Sequence, residues 1–388
     1  MTASSKPPFA GERVPFASVF RDVTRSVGRI RNGDYLRSGR FPIVDQGQEQ
    51  VAGYSNGEEG LCEDVPAIVF GDHTRCVKHV DFPFFAGADG VKILKPILGD
   101  ARYWYHALKS VRLENLGYSR HFKLLKQTSF IWVDEGDQHR IARVLDAVLA
   151  LEEVARRQLS LLDNLVKSRF VEMFESRHWG LCRAREFFTS VRNGVSPSKN
   201  GLYPAKVLTL SAITRGHFDC EEWKEGLFSA EPPQEKRVRE SEFYICRGNG
   251  NRSLVGAGEF SNTSRPDLVF PDTVIAARLD DEKVCGEYLR YAWRLPSVRR
   301  QLETRARTTN GTYKINQQVV LTTEIPLPPL SLQREFSAFA DRVAKSQVVV
   351  LRPVRELMSL SEILRVATAA SCITGGVGLR CLFRGGCP

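Results

Sequence analysis

Between Arg247 and Arg252 the chain reads RGNGNR, so Arg247, Asn249, Asn251 and Arg252 present forked donors and amides on a backbone that glycine lets approach a ligand closely. Such side chains are suited to the hydrogen-bonding edges of bases in a DNA groove. The alternative is a glycine-rich hairpin whose arginines are merely solvated. A second cluster, Arg305, Arg307, Thr308, Asn310, Thr312, Tyr313 and Lys314, mixes cations with hydroxyls in the way phosphate clamping requires. The first half of the chain offers His73 and Arg75 after a strand-like run, then Tyr118, Arg120, His121 and Lys123 at a place matching the second cluster. Each of these also reads as a turn with exposed polar groups.

Catalytic patterns are thinner. Pro271-Asp272 followed by Asp281-Glu282-Lys283 imitates the PD-(D/E)xK layout in which carboxylates hold a hard cation and lysine helps activate water. It makes a metal-dependent nuclease the alternative function. The string Lys6-Pro7-Pro8-Phe9 has lysine where an amino-methyltransferase needs an acceptor. No Walker A sequence occurs, and no GxGxxG lies between a strand and a helix. The 9 cysteines are scattered without a CxxC pair and the 7 histidines lack metal-binding spacing, so no catalytic residue and no metal ligand is assigned. A net charge of +10 favours a polyanionic partner.

These residues need a frame, and the chain supplies one twice. Gln138 opens QHRIARVLDAVLALEEVARRQLSLLDNLVKSRFVEMF and Gln333, 195 residues later, opens QREFSAFADRVAKSQVVVLRPVRELMSLSEIL. Ile141, Leu145, Val148, Leu159, Leu162 and Val166 form a heptad seam, and Phe336, Val343, Val350, Val354 and Leu357 fall in the same register. Glu152 and Gln347 interrupt both stripes at one slot. The shared register predicts two long helices that pair with each other. Pro353 is expected to kink the second.

A mixed segment with short strand-like runs and glycine turns precedes each helix, giving an α+β chain with two tandem mixed domains and two spacer helices as an antiparallel, pseudo-two-fold coiled coil. The boundaries read as 1–133 and 179–327 for the mixed domains, 134–178 and 328–365 for the helices, and 366–388 for a glycine- and cysteine-containing tail. Strand candidates are Phe41 to Val44, Ala67 to Phe70 and Val91 to Leu94, then Lys206 to Leu210, Phe243 to Cys246 and Thr273 to Arg278. Arg31-Asn32-Gly33 and Arg192-Asn193-Gly194 read as matching landmarks. With 42% hydrophobic and 26% charged residues, no long apolar run and no secretion-signal pattern, a globular cytoplasmic protein is expected.

This order of parts, with IPLPPLSLQREF leading into the second helix, resembles the specificity subunit of Type I restriction-modification systems. FPIVDQGQEQVAGYS, GDHTRCVKHVDFPFFAGADGVKILKP, RGNGNRSLVG, PDTVIAARLD and NGTYKIN occur in an order that fits it. The resemblance implies two target-recognition domains, each reading one half of a split asymmetric sequence in double-stranded DNA, and a chain without its own active site. It further implies two modification subunits that use S-adenosylmethionine to methylate adenine, and restriction subunits that translocate and cleave with ATP and Mg²⁺. A coiled-coil scaffold whose mixed domains bind protein is a further alternative.

Overall fold

The computed structural model describes residues 11–87, 89–114, 119–175, 177–309 and 311–368. The Lys6–Phe9 string and the tail beyond Thr368 lie outside them. The chain divides into two compact units: one runs to Arg157 and takes in the chain from Val350, the other is Gln158–Val349. The divisions fall inside the two long helices because each helix contributes residues to both units.

In the first unit, Arg13–Pro15 pairs with Ser129–Ile131. A four-stranded antiparallel sheet runs in the order Phe20–Asp22, Val91–Pro96, Ala67–Gly71, Val77–Val80. In a second sheet, Phe41–Val44 pairs antiparallel with Gly53–Ser55 and parallel with Phe85–Ala86. The second unit repeats this topology. Leu181–Arg183 pairs with Glu324–Pro326. Its antiparallel sheet runs Phe188–Asn193, Val274–Leu279, Phe243–Cys246, Gly258–Phe260. In the other sheet, Tyr203–Leu208 pairs antiparallel with Trp223–Phe228 and parallel with Arg265–Val269, with Arg237–Val238 at the edge.

The inner strands AIVFG and FYIC are buried throughout because both faces of their sheets are covered. Successive residues therefore feed different cores. Ile68 and Phe70 pack with Trp104 and Phe130, whereas Ala67 and Val69 pack with Val44 and Phe84. Phe243 and Ile245 likewise join Trp293, while Tyr244 and Cys246 join Phe270.

The repeated glutamine has a structural cause. Gln138 is fully buried; its Nε2 donates to the Val133 carbonyl at 2.8 Å and its Oε1 accepts from the Asp100 amide at 2.8 Å. Gln333, also fully buried, donates to the Pro328 carbonyl at 2.8 Å and accepts from the Cys285 amide at 2.9 Å. Asp100 and Cys285 are the N-caps of helices Ala101–Ser110 and Gly286–Ala292. Each glutamine thus ties the start of a long helix to the start of a shorter one. Tyr103 and Tyr288 repeat a second tie, from hydroxyl to the carbonyls of Ile131 (3.1 Å) and Pro326 (2.6 Å).

The first long helix is Glu135–Phe170, 36 residues or about 54 Å at ~1.5 Å per residue, and passes into a π-turn at Val171–Glu175, short of the expected boundary at 178. The second, Leu330–Thr368, passes through Pro353 and beyond the expected end at residue 365. The carbonyl that Pro353 cannot serve belongs to Val349, which is 72% exposed, so water can satisfy it. Within the second unit the helices run antiparallel: Arg169 pairs with Glu335 at 3.0 Å, and Gln347 donates to Asp163 at 2.7 Å. Phe170 and Phe174 both meet the Phe336 ring, with centroids 5.4 and 5.7 Å away.

Ile141, Leu145, Val148, Val166, Phe336 and Val343 are buried, and Leu159, Leu162, Val350, Val354 and Leu357 half-buried. The seam is also part of the domain cores. Ile141 and Leu145 pack with Tyr103 and Trp104, and Phe336 and Val343 share a core with Tyr288 and Trp293. Among the described residues no helix is long and apolar enough to cross a membrane.

Candidate nucleic-acid interface

The second unit joins the two clusters that the sequence leaves about sixty residues apart. Arg307–Thr309 and Thr312–Lys314 form a hairpin, and Gly248–Asn249 adds a third strand to it. Gly311, at φ +73°, supplies the left-handed residue of the tight turn. Asn310 beside it lies outside the described residues. Lys314 sits opposite both Arg307 and Gly248, and Tyr313 opposite Thr308 and Asn249.

Directly opposed residues share a sheet face, so Arg307 and Lys314 project together into solvent. Among the described residues neither forms an ion pair. Two like charges at this spacing repel each other, and a bound anion would relieve the repulsion. Arg252 lies 5.9 Å over the Tyr313 ring, with its Nε donating to the Glu303 carbonyl at 2.9 Å. Thr312 is half-buried at the hairpin tip, and Arg305, at the end of helix Pro296–Arg305, donates to Thr322 Oγ1 at 3.2 Å. Asn249 accepts from the Asn251 amide at 2.8 Å, and Asn251 caps the following turn by accepting from the Ser253 amide at 3.0 Å.

Arg247 is a correction. It is half-buried, donating to the Asp272 carbonyl at 2.9 Å with its Nε buried, so it fastens the ribbon to the body rather than standing free in solvent. Hydrogen bonding locates the matching place in the first unit. Ile315 donates its amide to the Arg247 carbonyl and Arg247 its own to Thr273; His121 donates to Asp72 and Asp72 to Gly90 in the same pattern. Arg120 therefore stands where Lys314 stands, and both are exposed. Tyr118 lies outside the described residues.

His121 is the second correction. It is fully buried, its Nδ1 lies 3.0 Å from the Asp72 carbonyl, and it cannot reach a duplex. Asp72 also accepts from the Phe122 amide at 2.7 Å, which sets the short helix Phe122–Leu125 and its exposed Lys123. His73 places Nδ1 3.2 Å from the Ser119 carbonyl, and exposed Arg75 donates to the Leu113 carbonyl at 3.2 Å. The first unit thus brings His73, Arg75, Arg120 and Lys123 to one end. Sequence reading missed Lys78, three residues along the chain from Arg75, and Gln48 and Lys109, which come beside Arg75 only through tertiary placement.

Behind them, Arg102 donates to Asp146 Oδ2 and lies 2.8 Å from His79 Nδ1. Burial, and then the Arg102 charge, push the His79 pKa below the ordinary histidine value. The unfolded chain therefore binds this proton at higher pH than the folded one. We expect His79 to cost the first unit stability as pH falls below about 6.5, and His79→Gln to flatten that part of the denaturation-midpoint profile. An unchanged profile would exclude it.

The nuclease pattern does not assemble. Asp272 precedes strand Val274–Leu279 and Asp281–Lys283 follow it, so about 20 Å separates them at ~3.3 Å per residue, and Lys283 pairs with Asp280 at 3.0 Å. Among the described residues no three His, Cys, Asp or Glu side chains gather in a metal-binding group.

The fold is that of Type I restriction-modification S subunits. The chain superimposes on the Type I S subunit from M. genitalium with a TM-score of 0.59, over 93% of this chain and 96% of that one, at 13% identity. The HsdS subunit from Thermoanaerobacter tengcongensis aligns over 94% of this chain and 98% of its own at 16% identity, with a TM-score of 0.34. In sequence the chain is 29% identical over 89 residues to the specificity subunit of the Escherichia coli enzyme EcoR124I/EcoR124II, a stretch that spans 21% of this chain and 22% of that relative. No family model matches.

Proposed function

We propose that this chain is the DNA-reading subunit of a Type I restriction-modification assembly, that it binds a bipartite asymmetric target in double-stranded DNA, and that it performs no chemistry itself. One observation carries the reading: a single fold occurs twice, and the matching end of each copy exposes cations among different neighbours, Arg307 and Lys314 beside Tyr313 in one and Arg120 beside His73 in the other. Shared cations hold phosphates, and differing neighbours give each half its own sequence preference.

Assembly with two modification subunits and with restriction subunits is part of the proposal; S-adenosylmethionine, ATP and Mg²⁺ belong to those partners. A second apolar stripe on the first long helix supports a docking role. Val144, Leu151, Val154, Leu161 and Leu165 recur at heptad-like spacing, and all are exposed.

A salt titration of duplex binding by the full chain tests the reading. The expected result is retention at low salt, with log affinity falling by about 0.9 for each phosphate neutralised per decade of salt. A protein scaffold would retain no duplex at any salt. Added Mg²⁺ should produce no cutting; cutting abolished by Asp272→Ala would replace this reading with the nuclease one.

A further inference from the structure

The left-handed corner after the inner strand of the main sheet differs between the copies. In the second unit, Cys246 donates its amide to Ala257 and accepts from Gly256, which has φ +75°. In the first unit, Gly71 donates to Cys76 and accepts from Arg75, at φ +60°. Arg75 therefore occupies the position of Gly256. A residue with a Cβ is strained in this conformation and glycine is not, so the fold alone would favour glycine at 75.

The side chain stands at an open basin of about 380 Å³ that Gln48, Thr74, Lys78, Tyr105 and Lys109 also line. Lys78 on the basin wall is neutralised by Asp45 at 3.4 Å and donates to the Glu49 carbonyl at 2.5 Å. Lys109 lies 5.6 Å over the Tyr105 ring. Among the described residues neither Arg75 nor Lys109 forms an ion pair. Arg75 uses one guanidinium nitrogen on the Leu113 carbonyl, which aims the group without neutralising it.

We propose that this basin is a phosphate site keyed by Arg75, occupied by one backbone phosphate of the bound duplex or by a free phosphate group, and that the strained residue is kept for this contact. Two uncompensated cations, Arg75 and Lys109, and the amide of Gln48 form a donor set for a tetrahedral oxyanion; the Thr74 hydroxyl on the basin rim already donates to the Gln46 carbonyl at 2.6 Å. The duplex form of the proposal rests on the function proposed above; the basin itself does not.

The test uses the full chain with Arg75→Gly and Arg75→Lys. On duplexes of unrelated sequence, Arg75→Gly is expected to weaken binding roughly tenfold and to reduce the salt slope by about 1, and Arg75→Lys to restore the slope. The thermal midpoint of Arg75→Gly should equal or exceed that of the wild type, since glycine suits the corner; a lower midpoint would overturn the argument from strain. Site-resolved alkylation of Cys76, which also lines the basin, gives the second arm. Slower alkylation in inorganic phosphate than in chloride at equal ionic strength, in the wild type and not in Arg75→Gly, shows that free phosphate enters. A changed slope without that protection assigns the site to the DNA backbone.

If the wild type binds duplex while Arg75→Gly leaves the slope unchanged and phosphate gives no protection, the basin proposal is overturned and the DNA-reading function stands. Protection of Cys76 in a chain that binds no duplex would uphold the basin as a phosphate site and reject the DNA-reading function. Failure of both arms rejects both.

Discussion

Gln138→Ala and Gln333→Ala are each expected to destabilise their own unit by about 2–4 kcal/mol, far more than a typical polar-to-alanine change. Each side chain is fully buried and bonded at both ends of its amide. Truncation leaves a buried N–H and a buried carbonyl without partners, at about 1–3 kcal/mol apiece. Glutamate at either site would be worse, because its acceptor-only carboxylate would face the Val133 or Pro328 carbonyl. The two substitutions share no partner, so their effects should add within about 0.5 kcal/mol. Denaturant unfolding, with hydrogen-exchange protection at Ala101–Ser110 and Gly286–Ala292 as local probes, checks this. A loss below about 1 kcal/mol at both sites would show that the repeated tie is not what anchors the helices.

The second large effect concerns binding. Arg307→Ala combined with Lys314→Ala should reduce duplex affinity about 100-fold at low salt and lower the salt slope by about 2, with similar losses on duplexes of different sequence. The two cations face solvent from opposed positions of the hairpin. Removing them relieves a like-charge contact, so the denaturation midpoint should not fall. Unchanged affinity in a protein that binds DNA would move the contact surface elsewhere on the second unit.

Much of this frame is legible in the residues, because burial imposes period. The heptad stripes behind Gln138 and Gln333 mark helices whose inner positions are buried or half-buried, and the continuous apolar runs at Ala67 and Phe243 mark strands covered on both faces. The hairpin that carries the exposed cations is not among these: Arg305 to Lys314 read only as a polar cluster, and the strand pairing is what shows the turn. Features that depend on long-range contacts are not legible. Nothing local distinguishes Lys314, which faces solvent, from Arg247, which is held by the Asp272 carbonyl. His121 sits in a basic run, and only its bond to Asp72 reveals its burial.

The RNG landmarks also mislead. Asn32 opens a short 3₁₀ turn, whereas Arg192 and Asn193 end a strand, so the identical tripeptides are not equivalent positions. The Arg75 and Gly256 equivalence is invisible for the opposite reason: two residues with nothing in common share a corner that only the hydrogen-bond pattern identifies.

The central claim is that two copies of one fold read two different half-sites. Its most direct test replaces residues 1–133 with the corresponding segment of another protein of this fold and selects bound duplexes from a randomised pool. One half of the recovered sequence should change while the other half, and the spacing between them, stay as they were. Recovery of a sequence altered in both halves, or in neither, would contradict the claim.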